Sequence, residues 1–183
     1  MARPILVHGF GPFLEVEDNP AARLACAVDG ASIGGRAVVG EEIPVSYARG
    51  PAASIARARA LDAALLIGVG VARSRSVVCV ESRAVPLGHE HLADVDGVQL
   101  ARLAARGARS VQATGPVSKM AAALSGVVSA DAGRYVCNAW LYQTVRALGE
   151  ELPVLFLHVP PPGLAPEQLL AALETIEGSL HGG

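Results

Sequence analysis

Hydrophobic residues in this chain are concentrated in short runs that show no period-two alternation. Residues 4–8, 64–69 and 152–159 form such runs, and their length is typical of strands buried on both faces of a sheet. The segments 36–45 and 76–85 are also strand-like. The pattern therefore predicts five strands separated by turns.

Segments with helical character lie between these strands. Residues 20–28 follow Asp18 and Asn19, a favourable pair for capping a helix, and Pro20 occupies the first helical position. Residues 117–124 form either a helix or a loop. Further helical patterns cover 51–62, 139–148 and 166–180.

The alternation of strands and helices predicts the α/β class, because neighbouring parallel strands need long, usually helical, crossovers. We expect residues 1–183 to form a single three-layer α/β/α domain with a mostly parallel central sheet. A large aliphatic core fits the composition, since 51% of the residues are hydrophobic and only 17% are charged.

Charge and cysteine content exclude several classes of partner. The formal net charge is -2 and no Lys/Arg-rich run is present, so we expect no binding to nucleic acid. No apolar run reaches about 18 residues and the N-terminus lacks the features of a signal peptide, so we expect no membrane partner. Cys26, Cys79 and Cys137 are an odd number at irregular spacing, which fits neither a disulfide framework nor a zinc site and suits a reducing cytoplasm.

Cys137 lies where a turn feeds a predicted helix, because residues 131–134 are turn-prone and helical spacing begins at Ala139. A thiol in the first helical turn faces unpaired backbone N–H groups and the positive end of the helix dipole, which favour the reactive thiolate. The same N–H groups can bind an oxyanion. Cys137 is therefore a candidate nucleophile, although a free cysteine is also commonly a small buried hydrophobic residue.

His158 and Glu81 are candidate partners of this thiol. His158 ends an apolar run and precedes the prolines at 160–162, so it is predicted at the carboxyl edge of the sheet, where ligands bind. It could instead cap the strand through backbone hydrogen bonds. Glu81 lies in an otherwise apolar strand, and a buried carboxylate is costly unless it is paired. A histidine would pair with it, and a salt bridge to Arg75 or Arg83 is the alternative.

Six motifs occur in order over residues 5–162. They are GFGPF at 9–13 with Asn19-Pro20, EIPV at 42–45, GVG at 68–70 with Arg75, VESRAV at 80–85, AGRYVCN at 132–138 and FLHVP at 156–160. Together they make the chain resemble the pyroglutamyl peptidase I (pyrrolidone-carboxylate peptidase) family of cysteine peptidases. The cysteine motif followed by the histidine strand is the most specific part.

The resemblance implies a catalytic triad in which Cys137 is the nucleophile, His158 is the base and Glu81 orients the histidine. The protein would then be a thiol protease, an omega peptidase that removes N-terminal pyroglutamate (5-oxoproline) from peptides through an acyl-enzyme intermediate. Neither a metal nor an organic cofactor is expected. The alternative is a catalytically impaired α/β protein that binds a cyclic amide without turnover.

The resemblance also implies a binding pocket for the lactam ring. Phe10 and Phe13 would line it, Asn19 would hydrogen-bond the ring carbonyl, and a backbone carbonyl near Val71 would accept the ring N–H. Two phenylalanines can sandwich a flat, uncharged ring, whereas a charged N-terminus would be left desolvated and unpaired. Core packing is the alternative for the two phenylalanines.

One departure from the family concerns the oxyanion. Related enzymes usually carry an arginine shortly after the glutamate strand, and this chain has His91 where we would place it. The oxyanion candidates are therefore His91 and the backbone N–H groups of Cys137 and Asn138. Family members make subunit contacts, so we expect a homo-oligomer, either a dimer or a tetramer.

Two further motifs are weaker. His89-x-His91 with Asp94 and Asp96 resembles a metal site, but the segment is polar and loop-like, so a solvated stretch is the ordinary explanation. The glycines of 68–70 resemble the start of a dinucleotide-binding loop, but Arg73 stands where a third small residue belongs. We expect neither a metal nor a nucleotide.

Overall fold

A seven-stranded sheet lies at the centre of the protein in the computed structural model, which describes residues 2–180. In chain order the strands are β1 (Ile5–Phe10), β2 (Ser32–Ile33), β3 (Arg36–Ile43), β4 (Leu65–Val71), β5 (Cys79–Glu81), β6 (Arg83–Ala84), β7 (Val111–Gln112), β8 (Val127–Ser129) and β9 (Val154–Val159). The helices are α1 (Pro20–Val28), α2 (Arg49–Ala60), α3 (Val117–Ala123), α4 (Val136–Leu148) and α5 (Pro166–Glu177), and a short 3₁₀ helix (Gly178–Leu180) follows α5.

The strand order of the sheet is β2-β3-β1-β4-β9-β5-β8, and β6 pairs with β7 separately. Strands β3, β1, β4 and β9 are mutually parallel, and β5 is parallel to β8. Strand β5 runs antiparallel to β9, and β2 runs antiparallel to β3. The predicted α/β class with a mostly parallel sheet is confirmed.

Helices cover both faces of the sheet, as a sheet buried on both sides requires. Apolar side chains of α1, α3 and α5 pack on one face, and those of α2 and α4 pack on the other. The second face holds the large rings of Trp140, Phe156 and Phe10. Among residues 2–180, none of the helices has both the length and the apolar character needed to cross a bilayer.

The structure confirms the predicted bounds of one helix and defines those of two others. Helix α1 covers 20–28, with Pro20 at its start, and the Asn19 side chain accepts a hydrogen bond from the Ala21 N–H at 3.0 Å. Residues 117–124, left open between helix and loop, contain α3. Helix α4 begins at Val136, before the predicted start at 139, and this places Cys137 in its first turn.

The predicted strand over 76–85 is wrong in its continuity. It consists of β5 and β6, which are separated at Ser82, where the N–H and the hydroxyl both donate to the Ser129 carbonyl. The direction of β5 decides where Glu81 lies. Strand β5 is antiparallel to β9, and Cys79 is the register partner of His158. Glu81 therefore lies toward the interior of the sheet rather than at the edge where β9 ends.

Candidate active site

Cys137 is held between the first turn of α4 and strand β4. The N-cap residue Tyr135 is extended, and the first backbone N–H groups of an α-helix have no intrahelical acceptor. The sulfur lies over Gly70, since a Cβ built on that glycine would stand 2.8 Å from Cys137 Sγ. Only glycine lets the thiol approach the sheet this closely, which is the reason for a glycine at this position.

His158 is the neighbour of this thiol across the sheet. It precedes the last residue of β9, and its register partner on β4 is Gly70, the residue beneath the sulfur. Burial lowers the pKa of His158, but the hydrogen bond and charge of Cys137, followed by those of Glu81, outweigh burial and raise this pKa to about 9. The imidazole is therefore protonated at neutral pH, and a cationic ring stabilises a thiolate.

Glu81 completes the cluster from β5. Its Oε1 lies 2.8 Å from His158 Nδ1, and both side chains are buried. Arg75 Nη2 lies 3.9 Å from the same oxygen, so the alternative salt bridge is also present but is longer. Glu81 Oε2 has no hydrogen-bond partner among residues 2–180. The carboxylate thus acts mainly on the imidazole, fixing the ring so that Nε2 is left for the sulfur.

The three predicted catalytic residues are therefore brought together in the order carboxylate, imidazole and thiol. A thiolate beside an imidazolium is an activated nucleophile that needs no metal, and helix-terminal N–H groups can stabilise the oxyanion that it generates. The arrangement can perform acyl transfer.

A cavity of about 520 Å³ opens beside Cys137 and His158. Phe13 and Val71, both predicted to bind substrate, line it. Tyr135 lines the same wall, with its ring centroid 6.3 Å from that of Phe13. The volume lies within the range of small-molecule sites, and the aromatic wall suits a small uncharged ring.

Phe10 and Asn19 lie elsewhere. Phe10 is 2% exposed and packs against Phe156 at a centroid distance of 6.2 Å, so it belongs to the core and does not line the cavity. The Asn19 carboxamide caps α1 and also donates to the Gly11 carbonyl at 2.8 Å. The structure therefore connects Asn19 to the loop that leads to Phe13.

Asn138, one of the oxyanion candidates, is buried and anchors a neighbouring segment. Its side chain bonds the N–H and C=O of Val85 at 2.8 and 2.9 Å and the Leu87 carbonyl at 2.8 Å. The carboxamide is thus engaged, and any contact with an oxyanion would come from the backbone N–H in the first turn of α4.

His91 is 82% exposed at its side chain and lies in a second cavity, of about 360 Å³. Arg102 lines that cavity, and Arg134 lines both cavities. His91 does not line the cavity beside Cys137. That cavity is also lined by residues that the sequence analysis did not assign to the site, which are Leu14, Glu15, Val16, Arg73, Ala132, Gly133, Arg134 and Tyr135. The last four belong to the AGRYVCN motif, so their position beside the nucleophile was the available signal.

The rings of His89 and His91 lie 6.5 Å apart, centroid to centroid. Within residues 2–180, no group of three or more His, Cys, Asp or Glu side chains is arranged to hold a metal ion. The absence of a cofactor stays a prediction.

The sequence of this chain is similar to those of pyroglutamyl peptidases, which are also called pyrrolidone-carboxylate peptidases. A family profile described as "Pyroglutamyl peptidase" matches residues 3–180. The pyrrolidone-carboxylate peptidase of Mycobacterium tuberculosis (strain ATCC 25177 / H37Ra) is 34% identical over 169 residues, which cover 85% of this chain and 76% of that protein. That of Cupriavidus pinatubonensis is 32% identical, over 86% of this chain and 78% of the relative.

Solved structures agree in fold. The pyrrolidone carboxyl peptidase of Thermococcus litoralis superposes with a TM-score of 0.85 at 25% identity, covering 97% of this chain and 92% of that chain. The pyrrolidone carboxyl peptidase of Pyrococcus furiosus, solved together with its cysteine-free mutant, superposes with a TM-score of 0.85 at 24% identity, covering 97% of this chain and 99% of that chain.

Proposed function

This chain belongs to the pyroglutamyl peptidase family, and from that premise we propose that Cys137, His158 and Glu81 are its catalytic residues. The protein is a cysteine hydrolase of the pyroglutamyl-peptidase I type, which removes N-terminal pyroglutamate from peptides. The observation that carries the assignment of residues is the 2.8 Å contact between Glu81 and the imidazole next to the sulfur.

The proposed reaction is acyl transfer in two steps. The Cys137 thiolate attacks the pyroglutamyl carbonyl carbon, and the backbone N–H groups of Cys137 and Asn138 stabilise the oxyanion. As the C–N bond breaks, protonated His158 gives its Nε2 proton to the leaving amine, and a thioester remains. His158 then takes a proton from water, whose oxygen attacks the thioester and releases pyroglutamate, while Glu81 holds the ring throughout.

Substrate recognition is proposed to rest on the cavity beside the thiol. Phe13 and Tyr135 supply apolar faces for the lactam ring, and the Val71 carbonyl accepts its N–H. Asn19 supports the pocket through its bond to Gly11, and Phe10 supports it from the core. An ordinary charged N-terminus would lose its hydration against these two rings, so we propose that it binds less well than the uncharged lactam, although Glu15 also lines the cavity.

The wider context is also a proposal. We propose that residues 1–183 form one catalytic domain that works in the cytoplasm as a homo-oligomer, either a dimer or a tetramer. Cys26, Cys79 and Cys137 are all free thiols, which suits a reducing compartment. Val127 and Val128, about half exposed on the edge strand β8, are a candidate subunit contact that light scattering of the Val128→Lys variant tests.

The deciding experiment is hydrolysis of a chromogenic pyroglutamyl amide by wild type, Cys137→Ala and Cys26→Ala. We expect wild type and Cys26→Ala to release the chromophore, since Cys26 is exposed on α1, and Cys137→Ala to release none. Iodoacetamide should inactivate the enzyme and chelators should not. Turnover that survives in Cys137→Ala, or that is sensitive to chelators and resists alkylation, would contradict the proposal.

A further inference from the structure

A second buried polar cluster lies on the same face of the sheet, away from the cavity. His8 Nδ1 of β1 lies 2.6 Å from the Ser54 hydroxyl of α2, and the Trp140 indole N–H of α4 donates to that hydroxyl at 2.7 Å. His8 Nε2 lies 3.4 Å from Glu41 Oε2, and Glu41 also pairs with Arg57. His8, Ser54 and Trp140 are each exposed by 1% or less.

The chemistry of the hydrogen bonds gives this cluster a direction. Burial lowers the pKa of His8 to about 4 despite the attraction of Glu41, so the ring is neutral at physiological pH. Because indole N–H is only a donor, Ser54 Oγ must accept from Trp140, and its own hydrogen is then free to go to His8 Nδ1. The chain of donors therefore runs from Trp140 through Ser54 to His8.

Trp140 connects this cluster to the proposed nucleophile. It lies three residues after Cys137 on α4, so the two side chains face the same direction. The indole lies over Gly68 of β4, where a built Cβ would stand 2.6 Å from Cζ3, as the sulfur lies over Gly70. Helix α4 thus rests on two glycines of β4 that are two residues apart and share a face.

The same indole also supports the histidine of the site. Its ring lies 5.6 Å from Phe156, and Phe156 lies 5.1 Å from the imidazole of His158 in a T-shaped contact. A rotation of the indole would therefore disturb the packing under His158 and the seat of α4 on the sheet. Protein interiors are close-packed, so such a rotation is transmitted rather than absorbed.

We propose that His8 and Ser54 are positioning residues for catalysis, which fix the indole of Trp140 and so hold Cys137 in register with His158. The inference rests on the proposed function for its kinetic effect. The cluster itself is sealed from the cavity, so His8 and Ser54 act through Trp140 and not on the substrate.

The test compares Ser54→Ala and His8→Leu, which break the chain of donors, with His8→Asn, which keeps an acceptor near the position of Nδ1. We expect kcat to fall by about 10- to 100-fold in the first two with KM unchanged, because a displacement of about 1 Å costs that much in rate. His8→Asn should retain most of the rate. Emission of Trp140, the sole tryptophan, should shift in the first two variants only.

The matched control is Thr144→Val, which like Ser54→Ala removes a buried hydroxyl, in this case one on α4. The Thr144 hydroxyl donates to the Trp140 carbonyl at 2.7 Å and does not contact the indole N–H. Thr144→Val should lower the urea midpoint as Ser54→Ala does while leaving kcat unchanged. Alkylation of Cys137, followed by mass spectrometry, measures positioning without turnover and should slow in Ser54→Ala. If the kinetics and alkylation of Ser54→Ala and His8→Leu match those of wild type or Thr144→Val, the cluster is structural only and the inference fails.

Discussion

Two histidines of one sheet have similar partners, yet His158 is protonated at neutral pH and His8 is neutral. His158 on β9 has Glu81 and Cys137, whereas His8 on β1 has Glu41 and Ser54. Each histidine is the register partner of a β4 glycine that lies under a residue of α4. The pKa of His158 is raised to about 9, and that of His8 is lowered to about 4.

The difference comes from the neighbours of each ring. The hydrogen bond and charge of Cys137 raise the pKa of His158 most, and Glu81, which is fully buried and lies 2.8 Å from His158 Nδ1, raises it further. Glu41 is 35% exposed at its side chain, stands 3.4 Å from the ring of His8 and shares its charge with Arg57. His158 therefore has a thiol and a buried carboxylate as partners, whereas His8 has a hydroxyl and a partly exposed carboxylate.

Access separates the two clusters as well. His158 lines a cavity, whereas His8 is buried between the sheet and two helices. A carboxylate, an imidazole and a hydroxyl or thiol are therefore insufficient for catalysis. The set must also face a cavity and must hold the ring in the protonation state that the reaction needs.

The largest expected effect on activity comes from giving His158 a hydroxyl partner, as His8 has in Ser54. Cys137→Ser places a hydroxyl beside His158, and without a thiolate we expect kcat to fall by about 1,000-fold or more. Steady-state kinetics on a pyroglutamyl amide measures the loss, with Cys26→Ser as the unchanged control. Activity within tenfold of wild type would mean that the thiol is not the nucleophile.

Next in size is the removal of the buried carboxylate. Glu81→Gln should lower kcat/KM by about 100-fold, because the imidazole loses the partner that orients and charges it. The alkaline limb of the pH profile, expected near the raised pKa of about 9, should move to lower pH, since one cause of the raised value is gone. An unmoved limb in a folded variant would show that Glu81 does not set the protonation of His158.

A smaller effect concerns stability against pH. The pKa of His8 is 6.5 in the unfolded chain and about 4 in the native protein, so the native protein should lose stability against unfolding as the pH falls below 6.5. His158 has the opposite sign, since its native pKa of about 9 gives stability below 6.5 that is lost as pH rises toward 9. Between about pH 6.5 and pH 5, wild type should lose about 1.5 kcal/mol of its free energy of unfolding through His8. Urea unfolding should show that His8→Asn does not lose this part. Equal acid sensitivity in wild type and His8→Asn would refute the buried neutral ring.

The smallest effect is expected at the second carboxylate. Glu41→Gln should change kcat/KM by no more than about twofold, because a partly exposed, shared charge at this distance contributes little. The same assay as for Glu81→Gln gives a matched pair of substitutions. A loss as large as that of Glu81→Gln would remove the distinction drawn between the two clusters.

Much of this arrangement could be predicted from sequence, because it depends on local signals. The apolar runs located β4 and β9, and the turn before 139 located the nucleophile at a helix start. The carboxyl edge of a parallel sheet then indicated the position of His158. The capping role of Asn19 followed from its residue type, and the structure gives it a further bond to Gly11.

Other features depend on long-range pairing, which leaves no local pattern. Strand direction has no period, so the reversal of β5, which takes Glu81 below the imidazole, could not be foreseen. Strands of two or three residues such as β2 and β8 are too short to give a pattern. Phe10 is the last residue of β1 and packs in the core, whereas Phe13 lies on the loop after β1 and lines the cavity. The sequence did not distinguish these two positions.

The glycine beneath the sulfur also sets a limit on protein engineering. Any side chain at Gly70 would occupy the space of the nucleophile, so a library that randomises this position would consist almost wholly of inactive members. The side chain of Leu14, which is 65% exposed beside the cavity, has space for substitution, although its φ of 48° disfavours β-branched residues at that position. Selection for altered substrate preference should therefore vary the loop and keep the strand fixed.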